Sequence, residues 1–158
     1  MQTATFPEGF LCRPLEESDI NRIIPLYIDY YNNEEDGAWT PATVYKRIHQ
    51  VWSAEDALCL LLEKDSEPIG FFMGHFEQYD DIKAYDLIEI VIAAPYQSQG
   101  LGSTFMKELE YQVKAHGGAM IQLQAVNDDR HERFYSRLQY KTTNSLVLKS
   151  KWLSTEND

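Results

Sequence analysis

Long apolar runs are missing from this chain of 158 residues: nothing in it approaches the ~20 consecutive apolar residues of a membrane-spanning helix, and no basic-then-apolar leader opens it. Neither insertion in a membrane nor export is expected, and a cytoplasmic location is. Cysteine is scarce. Cys12 and Cys59 are its two members, and Cys59 lies within the apolar run Ala57 to Leu62, so reduced thiols are expected rather than a disulfide framework. Positive charge is also short: 14 Lys and Arg against 25 Asp and Glu leave a net charge of −11, which disfavours nucleic acid and anionic lipid as partners and attracts cations. The four histidines, His49, His75, His116 and His131, have no metal-ligand spacing, and no metal site is expected. Serine-hydrolase chemistry lacks its elbow motif, and the Gly-x-Gly-x-x-Gly and P-loop patterns are absent.

What the chain does have is apolar mass and a readable order of elements. Hydrophobic residues make up 44% and aromatics 13%, enough for one folded domain over residues 1–158 without staples. Phe10 to Leu15 reads as a strand, and Ser18-Asp19 can cap a helix whose apolar positions are Ile20, Ile23, Ile24, Tyr27 and Tyr31. Thr40-Pro41 pairs an N-cap with proline at the first helical position, which predicts a second helix to about Ser53. Ala57 to Glu63 and Ile69 to Phe76 form a hairpin around the polar Lys64 to Pro68, and a third strand spans about Tyr85 to Ala93. A helix then runs from Gly100 to Gly117-Gly118. A strand over Met120 to Ala125, a helix over about Asp128 to Leu138 and a last strand near Leu146 to Lys149 follow. This order predicts an α+β or mixed-sheet α/β domain.

The most informative segment joins the third strand to the long helix: Ala94-Pro95-Tyr96-Gln97-Ser98-Gln99-Gly100-Leu101-Gly102-Ser103. A glycine-containing turn at a helix N-terminus presents backbone N–H groups and the positive end of the helix dipole, so it is a local anion site on an acidic protein. Gln97 to Gly102 resembles the Gln/Arg-x-x-Gly-x-Gly/Ala signature of the GNAT superfamily of N-acetyltransferases. Downstream, Ile121 to Ala125, Asn127, Phe134-Tyr135 and Leu138-Gln139-Tyr140 follow the family's strand, Asn, Phe-Tyr and Leu-Gly-Phe order. Gln139 departs from the usual glycine, and the spacing from Asn127 to Tyr135 is one residue longer than in common members.

The resemblance implies a mostly antiparallel twisted sheet flanked by helices, with a cofactor cleft between two splayed strands. It implies acetyl-CoA as cosubstrate, its pyrophosphate on Gln97 to Ser103 and its pantetheine arm along the backbone of Val91, Ile92 and Ala93. Tyr135 is the candidate acid for the departing thiolate, or a core tyrosine; Asn127 either bonds the cofactor or caps the next helix. Direct attack by an amine needs a base, and Glu89, an acid in an otherwise apolar strand, is the leading candidate, ahead of Asp86, Glu77 and His75. Tyr27 and Tyr31, with His75, are candidates for holding the acceptor, a small or peptide amine, cationic by the charge balance. A half-buried aromatic helix with a solvated acidic loop after it explains those tyrosines without any substrate, and is the stronger reading. Family members often form homodimers, and a non-catalytic acyl-CoA sensor with the same fold is the alternative to an enzyme.

Overall fold

The computed structural model describes residues 3–154, which fall into two compact units, one ending at Gln124 and one beginning at Ala125. The first holds a five-stranded sheet in sequential order, β1 (Phe10–Pro14), β2 (Ala57–Lys64), β3 (Glu67–Gln78), β4 (Lys83–Ile92) and β5 (Met120–Leu123). Three antiparallel pairings end in one parallel pairing, β4 to β5. The α+β expectation therefore holds.

Strand parity explains the two layers. Phe71 and Met73 of β3 join Val91, Leu61 and Cys59 on one face and pack against Ile20, Ile23, Ile24 and Tyr27 of α1 (Ile20–Ile28) and Val44, Ile48 and Val51 of α2 (Pro41–Trp52). Phe72 points the other way and meets Phe105 of α3 (Leu101–Ala115), ring centroids 4.7 Å apart. Alternation along each strand thus feeds a helix layer on either side. Local chemistry sets the helix ends: Thr40 Oγ1 accepts from the Thr43 N–H at 3.2 Å, and Pro41 follows as predicted. The first helix departs from expectation at its end. Beyond Ile28 it becomes a π-helical turn over Asp29–Glu34, which carries Tyr31.

An ion network ties the start of this unit together. Arg13 bonds Asp19 through both terminal nitrogens, at 2.8 and 2.9 Å, and Glu63 through Nε at 2.6 Å, while Arg22 reaches Asp19 at 2.9 Å and Glu63 at 3.2 Å. Asp19 and Glu63 are buried. The Asp19 carboxyl is held well below the usual carboxylate range, chiefly by the hydrogen bond from Arg13, with the Glu16 N–H and Arg22 adding to it against the opposing effect of burial. A depressed folded value stabilises the protein fully above the unfolded value of about 3.9, and that stabilisation is lost as pH falls below it. Asp19→Asn should therefore cost about 1–3 kcal/mol near pH 7, because it removes the buried anion that Arg13 and Arg22 share while both partly exposed arginines keep Glu63. Urea melts across acid pH should show the variant's stability falling less steeply than the wild type's; parallel curves would refute the role.

The second unit contains α4 (Asp129–Arg137), capped by Asp128, whose Oδ1 accepts from the His131 N–H at 2.8 Å. Asp128, not Asn127, is therefore the cap. The helix ends as glycine-terminated helices do: the Tyr140 N–H reaches back to the Tyr135 carbonyl at 3.0 Å, and Gln139 sits at φ 68°. That left-handed position is where the resembling sequences carry glycine. The strand expected over Leu146 to Lys149 does not form. The segment is irregular, with Leu146, Val147 and Leu148 75%, 75% and 79% exposed, because strand propensity without a paired edge does not make a strand.

Candidate functional site

The site is built where β4 ends. β5 pairs with β4 from Ala84 to Leu87 and no further, so among the described residues Ile88 to Ile92 have a strand neighbour on one side alone, β3. The Ala93 N–H bonds the Ile69 carbonyl at 2.7 Å, which identifies Ala93 and Ile69 as a hydrogen-bonded pair. By the antiparallel alternation Val91 also spends its polar groups on β3, whereas Ile90 and Ile92 turn theirs to the open edge. Of the three backbone positions singled out from the sequence, Ile92 faces that edge, and Val91 and Ala93 face β3. Ile90 was missed, since alternation becomes readable only once the register is known.

The chain then turns through a short 3₁₀ segment, Ala94–Tyr96, into α3. Gln97 folds back, its Nε2 donating to the Ile92 carbonyl at 2.8 Å, and Gln99 Nε2 donates to the Pro95 carbonyl at 2.8 Å. Leu101 is buried and anchors the turn, while Ser98, Gln99 and Gly100 are exposed. Ser98 at φ 59° and Gly100 at φ 79° take the left-handed conformation, and a Cβ built on Gly100 would meet nothing within 4 Å. Gly100, the N-cap of α3, brings no side chain to the first N–H groups, and the first turn holds no acidic residue. Uncapped N–H groups beside open space, with the dipole behind them, fit a phosphate group, and Gly102 and Ser103 lie in that first turn.

On the α1–α2 face of the sheet stands Glu89, 9% exposed. Its Oε1 accepts from Tyr27 at 3.1 Å and from Arg47 Nε and Nη2, each at 3.2 Å; its Oε2 accepts from the Tyr31 hydroxyl. Burial first, and then the Glu89 charge, push both phenols well above the ordinary tyrosine value, so they stay protonated donors. The supports run deeper. Tyr27 stacks on Phe71 and meets Trp39 edge-on at 5.1 Å, and Asn32 clasps the Trp39 backbone at 2.8 and 2.9 Å. Gly37 donates to the Tyr31 carbonyl at 2.8 Å, where a Cβ would lie 2.9 Å from that oxygen.

A bulge decides which other carboxylates share this face. Met73 opposes Glu89 and Gly74 opposes Leu87, so Ile88 is an extra residue in β4. The slip brings Asp86, opposite His75, onto the same face as Glu89 although the two lie three positions apart. His75, Glu77 and Asp86 place one nitrogen and two carboxylates within 4.8 Å of one another, and His75 Nδ1 lies 3.5 Å from Glu77. Arg47 and the bulge had no sequence signal: a single cation on an amphipathic helix reads as solvated. Asn127 and Tyr135 belong to the second unit, where Tyr135 meets Phe134 at 5.0 Å and Tyr140 at 5.8 Å, edge-on.

The model of the acetyltransferase (GNAT) family matches residues 20–140. Among solved structures, a possible acetyltransferase from Clostridium difficile 630 superposes with a TM-score of 0.80 at 10% identity, covering 93% of this chain and 100% of that one. Glucosamine-6-phosphate N-acetyltransferase from Arabidopsis thaliana gives 0.68 at 19%, covering 93% and 100%. An aminoglycoside acetyltransferase from an uncultured soil metagenomic sample gives 0.69 at 13%, covering 93% and 97%. No curated protein sequence matches the chain.

Proposed function

Because the chain belongs to the GNAT acetyltransferase family, we propose that it transfers an acetyl group from acetyl-CoA directly to the primary amine of a small cationic acceptor. The observation that carries this reading is the junction of an unpaired β4 edge with an uncapped glycine turn at the head of α3. The turn, Gln97 to Ser103, holds the pyrophosphate with main-chain N–H groups. The edge at Ile90 and Ile92 takes the pantetheine arm as an added strand would be taken, and an N–H there polarises the thioester carbonyl.

Glu89 receives the proton that the attacking ammonium must lose, and Tyr135 supplies one to the leaving thiolate, so no acyl-enzyme forms. Tyr27 and Tyr31 act by orienting Glu89. Asp86, Glu77 and Glu89, on one face of the sheet, and the net charge of −11 favour a cationic acceptor. Aminoglycosides, the acceptor class named for one structural neighbour, are polyamines of that chemical kind, and glucosamine-6-phosphate, named for another, shares the primary amine but not the net positive charge. The two cysteines are free thiols, in keeping with the cytoplasm, and no helix among the described residues is long and apolar enough to cross a membrane. We take the two units to work as one acetyltransferase domain.

Calorimetric titration with acetyl-CoA should show saturable binding, and thiol release across a panel of primary amines should rise with dications over neutral amines. Binding without turnover on any amine would favour an acyl-CoA sensor instead.

A further inference from the structure

We infer that Arg47 is a positioning residue, one that reserves Oε2 of Glu89 for the acceptor by occupying Oε1. The inference rests on the reading of Glu89 as the base. Its ground is a count of donors. Oε1 receives three, Tyr27 Oη at 3.1 Å and Arg47 Nε and Nη2 at 3.2 Å each, whereas Oε2 receives the Tyr31 hydroxyl alone among the described residues. A carboxylate offers about four acceptor sites over its two oxygens, so the capacity left over lies on Oε2.

The two kinds of donor do different work. A phenol can follow a carboxylate that rotates about its last bond, but two nitrogens of one rigid guanidinium on a single oxygen resist that rotation. The three donors also come from separate elements: Tyr27 from α1, Tyr31 from the π-helical turn and Arg47 from α2. Glu89 itself stands beside the bulge at Ile88, a device that re-aims a side chain. Arg47 lies on α2 next to the buried Ile48, and its side chain is 40% exposed. Its side-chain hydrogen bonds go to Glu89, so it acts through that carboxylate. The first proton taken from the acceptor ammonium ends on Oε2, the nitrogen lone pair so freed forms the new bond to the acetyl carbon, and as the carbon–sulfur bond breaks the departing coenzyme A thiolate takes up the second proton that the nitrogen loses, leaving as the thiol.

A double-mutant cycle tests this, with kcat and KM measured on the best amine of a panel and acetyl-CoA affinity measured by calorimetry. Arg47→Gln should lower kcat by about 10- to 100-fold and leave acetyl-CoA affinity within about twofold, since the carboxylate survives but is misaimed. Arg47→Lys, which keeps the charge and loses the fork, should recover part of the loss. In Arg47→Gln/Glu89→Gln the two losses should not add, so that the double variant turns over about as fast as Glu89→Gln alone. Additive losses, or a full kcat in Arg47→Gln beside a crippled Glu89→Gln, would overturn the positioning role while sparing the base. A full kcat in Glu89→Gln would remove the base reading itself. Should Arg47→Gln fold poorly, the double variant, which buries no unpaired charge, and Arg47→Lys still decide the matter.

Discussion

Replacing Gly100 by aspartate is expected to weaken acetyl-CoA binding by at least about 100-fold, roughly 2.7 kcal/mol, while the protein stays folded. Both halves follow from the same geometry. Gly100 lies at φ 79°, and a side chain there meets nothing within 4 Å, so the fold opposes the substitution with backbone strain alone. That strain is about 1–2 kcal/mol, and aspartate is among the residues that tolerate the left-handed region. An aspartate at the N-cap also accepts from N–H groups that now have no capping side chain, which returns about 1 kcal/mol. The melting temperature should therefore move by no more than a few degrees.

The ligand meets a different situation. The new carboxylate occupies the space a phosphate would enter, takes the N–H groups it would use and repels its charge. Gly100→Ala, with the strain but no charge or cap, should bind more tightly than Gly100→Asp. Calorimetric affinities for wild type and both variants are the check. Equal affinity in all three would show that the turn does not hold the diphosphate.

This turn was legible in the sequence because everything that makes it lies within ten residues: the proline, the two glycines and the apolar repeat that starts at Leu101. The Thr40-Pro41 helix start was legible for the same reason, since capping is local chemistry. What escaped was long-range. Arg47 and Glu89 are separated by 42 positions, and neither residue marks the other. The bulge at Ile88 depends on which residue of β3 stands opposite, and it decides that Asp86 and Glu89 share a face when plain alternation would part them. The π-helical turn that carries Tyr31 interrupts a periodicity that reads from the sequence as one continuous helix. Leu146 to Leu148 failed in the opposite sense: local propensity was present, yet no strand pairing forms there.

Glu89→Gln is expected to lower kcat by about 10²- to 10⁴-fold, the range general-base catalysis supplies, with little change in acetyl-CoA affinity. Glutamine has nearly the same shape, so α1, α2 and β4 keep their packing; what disappears is the charge that draws a proton from an ammonium. Arg47, 40% exposed, can rehydrate once its anion is gone, which limits the damage to the fold. Two readings separate a lost base from a loosened structure. The first is acceptor pKa: an amine that reaches the site already unprotonated needs no base, so the loss should shrink as acceptor pKa falls, whereas a loosened site would lose equally on all amines. The second is tyrosine ionisation. The Glu89 charge is the second cause, after burial, that raises Tyr27 and Tyr31, so its removal should bring their ionisation to lower pH in a spectrophotometric titration, with burial still holding them above free tyrosine. A variant whose tyrosines shift but whose turnover does not would leave the cluster a structural knot, and the proton would have to leave by another group.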